Sequence, residues 1–439
     1  MEQHRHFTGI GRETDVPAQN LQHFMSNSPW SGASVCAQVQ QELQAMPELT
    51  AGGVLLIDDS AVEKAGDKSA GSAKQYNGRL GKVETGNVIA SEAKQQVGVF
   101  LSYVNLKVPQ GFWTWINGKL FLPEAWFDGH HQALRESLSI PKSLNFKTKI
   151  ELAWDLTKEV IDQNLPFEIV GADTFYGRDS WFRAQVRNAE RLYMAEVPVD
   201  TQVYLEKPQL GIPEPKSKQG RPPSQVQVLS GDARRVDHLR DSLDWHLIPV
   251  RAVERGDLCE RFAACRVWTV YRGIAVEDWL VIREESDHKY SYALCNAPPD
   301  TSLEQLAWWK CQRYFIERSN QDVKSELGWD ELPARKYLAW EHHLALTVLA
   351  SWFVAQLKYE WARDYPRDPA LLNQLEIEVL PALSIANVRE LLRAVMPLKR
   401  LTPEQATAQV IEHLFNRTYS RKSRLKKQRL TQRSQIGSG

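Results

Sequence analysis

Acidic residues occupy three places in this sequence where they could act together on a phosphodiester. Asp58 and Asp59 directly follow a short apolar run that is entered through glycines, and Asp173 follows a second apolar run. Acids are rare deep in a sheet unless they are paired or bind a metal ion, so these strand-end positions are informative. Glu317 lies later, in a segment with helical periodicity. We interpret these residues as candidates for one metal-binding site.

The segment around Glu317, residues 308–327, is predicted to form one amphipathic helix. Arg313, Glu317 and Lys324 stand at positions i, i+4 and i+11, a spacing that keeps all three near one face. A carboxylate between two cations suits a site that binds both a metal ion and a phosphodiester. The alternative is an ordinary solvated face whose Arg–Glu pair contributes only about 0.2–0.5 kcal/mol. This segment alone favours the alternative, so the argument depends on the other acids.

Two carboxylates at strand ends and a third on a helix are the ligands that two-metal phosphoryl transfer requires. Mg²⁺ and Mn²⁺ prefer oxygen ligands. Two such ions about 4 Å apart can activate the attacking water or 3′-hydroxyl and stabilise the leaving oxygen. The sequence contains no GxxxxGK[ST] loop, HExxH helix or CxxC pair that would indicate a rival chemistry. We therefore predict two Mg²⁺ or Mn²⁺ ions as the cofactor.

The elements that must position the acids are predicted to form an α/β layer. Strands are predicted at 54–57, 96–104 and 112–122, the last broken by a hairpin turn at Asn117–Gly118. A helix at 150–163 and a strand at 167–170 follow. This order predicts helices packed on a mixed sheet, with both acids at the edge where ligands gather in open α/β sheets.

The bulk composition is that of an ordinary globular protein. Over 439 residues the chain is 43% hydrophobic and 25% charged with a formal net charge of zero, so any affinity for nucleic acid must come from local patches. The five cysteines are widely spread and contain no metal-ligand spacing, which argues against a disulfide framework and for a reducing compartment. We find no signal peptide and no apolar stretch of about 18 residues. These features predict a cytoplasmic protein that does not enter a membrane.

Two basic segments could contact DNA. A glycine-containing segment after Asp59 carries Lys68, Arg79 and Lys82, and glycine lets a backbone approach a phosphate closely. Residues 417–433 hold eight Lys or Arg and no acid. A mobile surface loop and a solubilising tail are the respective alternatives, and both stay open.

Four stretches of the chain, in order, resemble DDE-type transposases of bacterial insertion sequences, of the cut-and-paste group with an RNase H-like core. LLIDDS followed by KQYNGRLGKVETGN is similar to the first-Asp region, GADTFYG to the second, and VYRGIAVEDWLVIREES to the end of an inserted β domain. RYFIERSNQDVKSELGWDE resembles the helix of the third acid. The most specific match is Arg313-x3-Glu317-x6-Lys324, which fits the family pattern Y-x2-R-x3-E-x6-K. The Tyr position is Lys310 in this chain.

The resemblance implies that Asp58, Asp173 and Glu317 are the catalytic, metal-binding triad. Asp59 competes with Asp58 for the first position; we prefer Asp58 because D-x-[ST] with Ser60 matches the pattern better. Arg313 and Lys324 would contact the phosphates that flank the scissile bond.

Some relatives form DNA hairpins, and an aromatic side chain of their insertion stacks on a flipped base. Trp279, Tyr290 and Tyr292 are the candidates for this role here. Packing within the sheet is the simpler role for each of them.

The resemblance also implies the function. The chain would be a metal-dependent endonuclease and strand transferase that cuts and joins mobile-element ends. Its partners would be the terminal inverted repeats and target DNA, with two copies acting on paired ends. Members of this family usually carry a helical DNA-binding domain ahead of the core, whereas only residues 1–57 precede Asp58 here. The alternative is therefore a non-catalytic or amino-terminally shortened transposase-derived DNA-binding protein.

The expected fold class is α/β, an RNase H-like core interrupted by a β-rich insertion, with helical segments at both ends. The expected divisions are a short helical segment at 1–50, the first part of the core at 51–183, the insertion at 184–300, the second part of the core with the third acid at 301–364, and a helical region with the basic tail at 365–439.

Overall fold

The computed structural model of the chain describes residues 6–64, 66, 68–74, 94–214, 223–253, 256–285, 289–331, 335–364, 383–395, 402 and 404. The chain divides into two compact units, Met25–Arg389 and the combination of Met1–Phe24 with Glu390–Gly439. In the smaller unit, the helix Phe7–Thr14 ends at Asp15, whose backbone is left-handed. The sheet and all candidate site residues that the structure describes lie in the larger unit.

The strands differ widely in length. In chain order they are β1 (Gly53–Glu63), β2 (Ala73–Lys74), β3 (Lys94–Asn105), β4 (Phe112–Leu120), β5 (Ile169–Ala172), β6 (Leu192–Val197), β7 (Gln202–Tyr204), β8 (Gln209–Gly211), β9 (Gln227–Ser230), β10 (Ala233–Arg235), β11 (His246–Val253), β12 (Gly256–Tyr271), β13 (Ile274–Glu284) and β14 (Tyr290–Cys295).

The helices precede, separate and follow these strands along the chain. In chain order they are α1 (Phe7–Thr14), α2 (Ala18–Ser26), α3 (Gly32–Gln44), α4 (Gln132–Ser137), α5 (Lys149–Asp162), α6 (Thr174–Gly177), α7 (Ser180–Asn188), α8 (Val236–Leu239), α9 (Leu303–Cys311), α10 (Tyr314–Ser325), α11 (Tyr337–Asp364) and α12 (Ile385–Val395). Among the residues described, no helix is long and apolar enough to cross a membrane.

One mixed sheet organises the larger unit. Its strand order is β10-β7-β12-β13-β14-β6-β5-β1-β3-β2, with β4 also on β3 and β11 on β12. β1 runs antiparallel to β3 and parallel to β5, and β5 runs parallel to β6. The order β4-β3-β1-β5-β6, with three antiparallel strands continued by two parallel ones, is RNase H-like. The α/β fold class predicted from the sequence is therefore confirmed.

Strands from the segment predicted as an insertion continue this same sheet. β14 pairs antiparallel with β6, and β13 and β12 follow outward from it. β6 itself pairs in parallel with β5, although it falls within the predicted 184–300 segment. The division of the chain into core and insertion stays a prediction.

Aromatic residues fill the core between the sheet and α11. The ring of Phe100 in β3 stacks on Trp115 with centroids 4.1 Å apart, and Trp329 meets both rings edge-on. The two adjacent histidines of α11, His342 and His343, contact main-chain oxygens. His342 bridges the main-chain oxygens of Met25 and Trp30, and His343 contacts that of Trp329.

The prediction of a hairpin turn at Asn117–Gly118 is wrong. β4 runs through both residues, pairing Asn117 with Leu101 and Gly118 with Phe100 beside a β-bulge. A Cβ at Gly118 would lie 2.7 Å from the ring of Phe100. The glycine therefore permits close packing within a strand and does not form a turn.

Candidate active site

Asp58 and Asp173 lie at the same edge of the parallel part of the sheet. The ladder between β1 and β5 ends with the pair Ile57 and Ala172, and the two acids are the next residue of each strand. β1 then continues beside β3, where Asp58 pairs with Phe100. The strand end predicted at Ile57 is therefore the end of the parallel pairing only, and Asp58 lies within a longer antiparallel strand.

Each of the two acids has one oxygen held by the main chain. Asp58 accepts a hydrogen bond from the amide of Asp59 at 2.7 Å, and its other oxygen faces the side-chain amide of Asn320 at 3.4 Å. Asp173 caps α6, because one of its oxygens accepts from the amides of Phe175 and Tyr176 at 3.0 and 3.2 Å. This capping fixes where the Asp173 carboxylate points.

Burial and nearby acids raise the pKa values of both carboxylates. Burial raises the pKa of Asp58 to about 8, and the charges of Asp173 and Asp59 add to the effect while Arg313 opposes it. Burial also raises the pKa of Asp173, against its hydrogen bond to the Tyr176 amide and the charge of Arg313. In the part of the chain that the structure describes, no salt bridge reaches either carboxylate. A cation bound here would relieve this repulsion.

Asp59, the alternative to Asp58, forms a salt bridge with a lysine. Its carboxylate pairs with Lys149, the first residue of α5. The start of α5 is fixed by a capping box in which the side chains of Thr148 and Glu151 each accept from the other's backbone amide. Lys149 is therefore held in place, and its pairing leaves Asp58 as the acid of this strand without a salt bridge among the described residues.

A buried hydroxyl beside the acids also fits a ligand. The phenol oxygen of Tyr176 has no hydrogen-bond partner among the residues described. Burial raises the pKa of Tyr176 well above its ordinary value, and the charges of Asp59, Asp58 and Asp173 raise it further. A buried donor without a partner, close to carboxylates, is what a hydrated cation or a phosphate oxygen would satisfy.

The segment predicted as one helix is two helices. α9 ends at Cys311 and α10 begins at Tyr314, and between them the amides of Gln312, Phe315 and Ile316 bond three residues back instead of four. This tighter turn changes the helical phase, so the predicted single face ends at the turn. Arg313 and Glu317 still meet, with Nη2 and Oε1 3.0 Å apart.

Glu317 does not join the other two acids in this structure. Its side chain is 60% exposed and pairs with Arg313. Across the described ranges, no group of three or more His, Cys, Asp or Glu side chains is placed so that it could hold a metal ion. Asp58 and Asp173 thus fit a divalent cation by charge and burial, while Glu317 is paired with an arginine.

Glu196, which the sequence interpretation missed, holds the other side of Arg313. Its Oε2 lies 3.0 Å from Arg313 Nε, and its Oε1 lies 3.5 Å from Lys310 Nζ. Burial alone would raise the pKa of Glu196, but Lys310 and Arg313 together lower it below its ordinary value. The sequence does contain a sign of Glu196, because it is an acid next to the apolar residues of β6. An acid next to an apolar run is also what identified Asp58.

Lys310, which stands at the family's Tyr position, is a buried counter-ion in this fold. Only 1% of its side chain is exposed, and Glu196 is its partner. The departure from the family pattern therefore creates an internal ion pair and not an additional surface cation.

The predicted DNA contacts are only partly described. Lys68 is exposed, and Lys324 donates to the main-chain oxygen of Ala61 in β1 at 3.2 Å. Arg79, Lys82 and the basic segment 417–433 lie outside the described residues.

The base-stacking candidates pack within the antiparallel part of the sheet. The indole N–H of Trp279 donates to the oxygen of Pro298 at 3.0 Å, and the guanidinium of Arg266 lies 5.0 Å from its ring. Trp279 also borders a cavity of about 280 Å³. Tyr290 donates to Glu284, and Tyr292 is buried. The contacts of Trp279 are thus with its own part of the sheet and not with the acids.

Comparison with known proteins identifies the family of the chain. No curated protein sequence matches the chain. A family model described as DDE superfamily endonuclease matches residues 5–253, which is more than half of the chain. The matched region contains Asp58, Asp173 and Glu196 and ends before Glu317. The chain therefore belongs to the DDE superfamily endonuclease family.

Proposed function

We propose that this chain is a DNA transposase, a metal-dependent endonuclease and strand transferase that cuts and joins the ends of a mobile element. DDE superfamily endonucleases generally use divalent metal ions, and DNA is the substrate that the family implies. The observation that carries the proposal is the placement of Asp58 and Asp173 directly after the last pair of the parallel ladder between β1 and β5, with raised pKa values and no salt bridge among the described residues. A pair of buried acids with raised pKa values suits a cation site.

The acids would hold the ions, two Mg²⁺ or Mn²⁺ in our proposal. When bound, these ions would activate the attacking oxygen and stabilise the leaving one. Asp58 and Asp173 are fixed by main-chain contacts, so their positions are set before any ligand arrives. We prefer Asp58 to Asp59 because Lys149 neutralises Asp59. Glu317 is the third ligand in this proposal, and its exposed side chain can change partners at little desolvation cost.

The cations would bind the DNA backbone. Arg313 and Lys324 lie on either side of Glu317 along the chain, and Lys324 contacts β1 two residues after Asp59. Both can therefore reach phosphates that lie beside the acids, and Lys68, Arg79 and Lys82 would provide additional contacts to DNA. Trp279 remains our candidate for base stacking, where a stacked base contributes about 1–3 kcal/mol.

We infer that two copies act together on paired element ends, recognising terminal inverted repeats and then target DNA. We also propose that β6 belongs to the catalytic core and that β7–β14 form the insertion, because β6 pairs in parallel with β5. Analytical ultracentrifugation of the DNA complex tests the assembly. One protomer bound to each unpaired end would contradict it.

Cleavage of a duplex that carries the ends of the element encoding this chain tests the proposal. The assay compares Mn²⁺, Mg²⁺ and EDTA, and the wild-type chain with Asp173→Asn and Glu317→Gln. Asn keeps the capping oxygen of Asp173 but removes its charge, so cleavage should be lost while the fold and DNA binding persist. Asp179→Asn is the matched control, because Asp179 caps α7 in the same way. Cleavage retained in either site variant would contradict the proposal.

A second candidate, a transposase-derived protein that binds DNA without cutting it, is favoured by one observation. Glu317 pairs with Arg313 and no three-acid group is present among the described residues. This candidate predicts DNA binding with no cleavage under any metal. A plain nuclease would instead cut the duplex and give no strand-transfer product on a target plasmid.

A further inference from the structure

Arg313 is the cation that could compete with a metal ion for the acids. Its guanidinium contacts Glu196 and Glu317 at 3.0 Å each, and the charges of Asp58 and Asp173 act on it as well. An arginine presents five N–H donors and binds carboxylates in pairs. The charge of Arg313 lowers the pKa values of both Asp58 and Asp173, so it already acts on the pair that a divalent ion would bind.

Glu196 is fixed by its surroundings more firmly than Glu317. Its backbone lies in β6, paired with Ala293 of β14. Gly177 of α6 packs so closely on this backbone that an added Cβ would lie 2.1 Å from the Glu196 main-chain oxygen. The side chain is held from the other direction by Lys310. Arg313 therefore has one partner, Glu196, that is fixed in the sheet. Its second partner, Glu317, is exposed on α10, the helix that begins after Arg313.

The strand that carries Glu196 is also tied to Asp173. Gly177 ends the short helix that Asp173 caps, and its amide donates to the main-chain oxygen of Asp173 at 2.6 Å. The position of Asp173 and the position of Glu196 are therefore set together. An arginine held by Glu196 is held at a defined place relative to the acid pair.

We propose that Glu196 is a positioning residue, which holds Arg313 beside the Asp58–Asp173 pair so that the pair stays open to the metal ion. This inference rests on the proposed function. Without the Glu196 charge, Arg313 would keep only the exposed Glu317 and would move toward the two acids that have no salt bridge among the described residues. It would then compete with the metal ion.

A purely structural ion pair would behave differently. Its loss would destabilise the fold, because Lys310 would be left buried without its partner. It would not make metal binding depend on whether Arg313 is present. The two roles can therefore be separated by combining substitutions.

Calorimetric titration of the full-length, metal-free protein with Mn²⁺ measures this dependence. We expect Glu196→Gln to weaken Mn²⁺ binding about tenfold, the scale seen when residues that orient metal ligands are changed. In an Arg313→Gln background the same substitution should have no effect, because the competing cation is gone. Lys310→Met alone should leave Mn²⁺ affinity within about twofold, because Glu196 still holds Arg313.

Thermal unfolding in EDTA accompanies each titration. If Glu196→Gln fails to fold, the double variant Glu196→Gln with Lys310→Met removes the buried charge. Mn²⁺ binding is then compared in this double variant with and without Arg313→Gln. Wild-type affinity in the folded Glu196 variant, or a loss that persists without Arg313, would overturn the inference alone. A wild-type chain whose Mn²⁺ binding is absent or survives Asp173→Asn would overturn the proposed function and this inference with it.

Discussion

Asp58 and Asp173 directly follow Ile57 and Ala172, the last pair of the parallel ladder between β1 and β5. This relationship places two carboxylates side by side at the point where the sheet changes from parallel to antiparallel pairing. It also makes the ionised site unfavourable in the metal-free protein, which has a measurable consequence.

Asp58→Asn should stabilise the metal-free protein at pH 8–9. The folded-state pKa of Asp58 is about 8, above its ordinary 3.8. The neutral carboxyl of Asp58 therefore makes its full contribution to the free energy of unfolding below about pH 4. This contribution is lost as the pH rises through 8. Asn keeps the acceptor for the Asp59 amide without the charge. We expect a gain of about 1–3 kcal/mol at pH 9, less than the full shift implies because the side chain keeps some solvent access.

Urea unfolding in EDTA at pH 4 and pH 9 measures this effect. Asp59→Asn is the matched control, and it should lower stability by about 1 kcal/mol because it breaks the pair with Lys149. Equal effects of Asp58→Asn and Asp59→Asn would refute the conclusion that Asp58 is the acid whose ionisation destabilises the protein.

Gly177→Ala should disrupt the link between α6 and β6. The new methyl group would lie 2.1 Å from the main-chain oxygen of Glu196, so α6 must move away from the strand. We expect a loss of about 1–3 kcal/mol of stability, as for other overpacked positions. Gly129→Ala, where an added Cβ meets nothing within 4 Å, is the control. Thermal unfolding that shows equal stability for both variants would count against the close packing described above.

Lys358→Met should raise stability at neutral pH. Lys358 of α11 is buried, with its ammonium 3.5 Å from the ring centre of Trp113. Burial lowers its pKa to about 8, with partial compensation by Asp322. Neutral Lys358 makes its full contribution to the free energy of unfolding above pH 10.5, and this contribution is lost as the pH falls through 8. The charged lysine therefore destabilises the wild-type protein at pH 7.

The advantage of Lys358→Met, about 1–3 kcal/mol at pH 7, should therefore shrink as the pH rises toward 10. Chemical denaturation at both pH values checks this. Lys158→Met, at an exposed position paired with Asp162, should change little at either pH. A pH-independent difference for Lys358→Met would contradict the burial of its charge.

Asp278→Ala should be the most damaging of these substitutions. Asp278 of β13 is fully buried and accepts hydrogen bonds from Arg187, Tyr193 and Thr269. Removing it leaves a partly buried arginine without its partner, which costs about 3–5 kcal/mol. Asp232→Ala, which breaks the exposed pair with Arg234, should cost under about 0.5 kcal/mol in the same urea titration. Similar losses for both would show that the buried network does not join β13 to β6.

Local patterns in the sequence predicted the parts of the fold that depend on neighbours along the chain. The helix predicted at 150–163 is α5, and the apolar run before Asp58 is the buried part of β1. Periodicity identifies such elements because burial of one face is a local property. The strand-end acids were found for the same reason, since an ionisable group beside an apolar run is visible without a structure.

Contacts between distant residues could not be predicted in this way. Lys149 and Asp59 are 90 positions apart, and Lys310 and Glu196 are 114 apart. Nothing in a single sequence shows which cation meets which acid. The break between α9 and α10 is also hidden, because no Gly or Pro marks it and only the hydrogen-bond register changes.

The antiparallel pairing of β6 with β14 has a consequence for how such a chain can evolve. The intervening segment leaves β6 and enters β14 at neighbouring positions of one ladder, with Val197 paired to Tyr292 at its end. Whatever lies beyond that stem can lengthen, shorten or be exchanged without altering the spacing of the chain that continues into α9 and α10. The intervening strands can therefore diversify while the residues around Glu196 keep their arrangement.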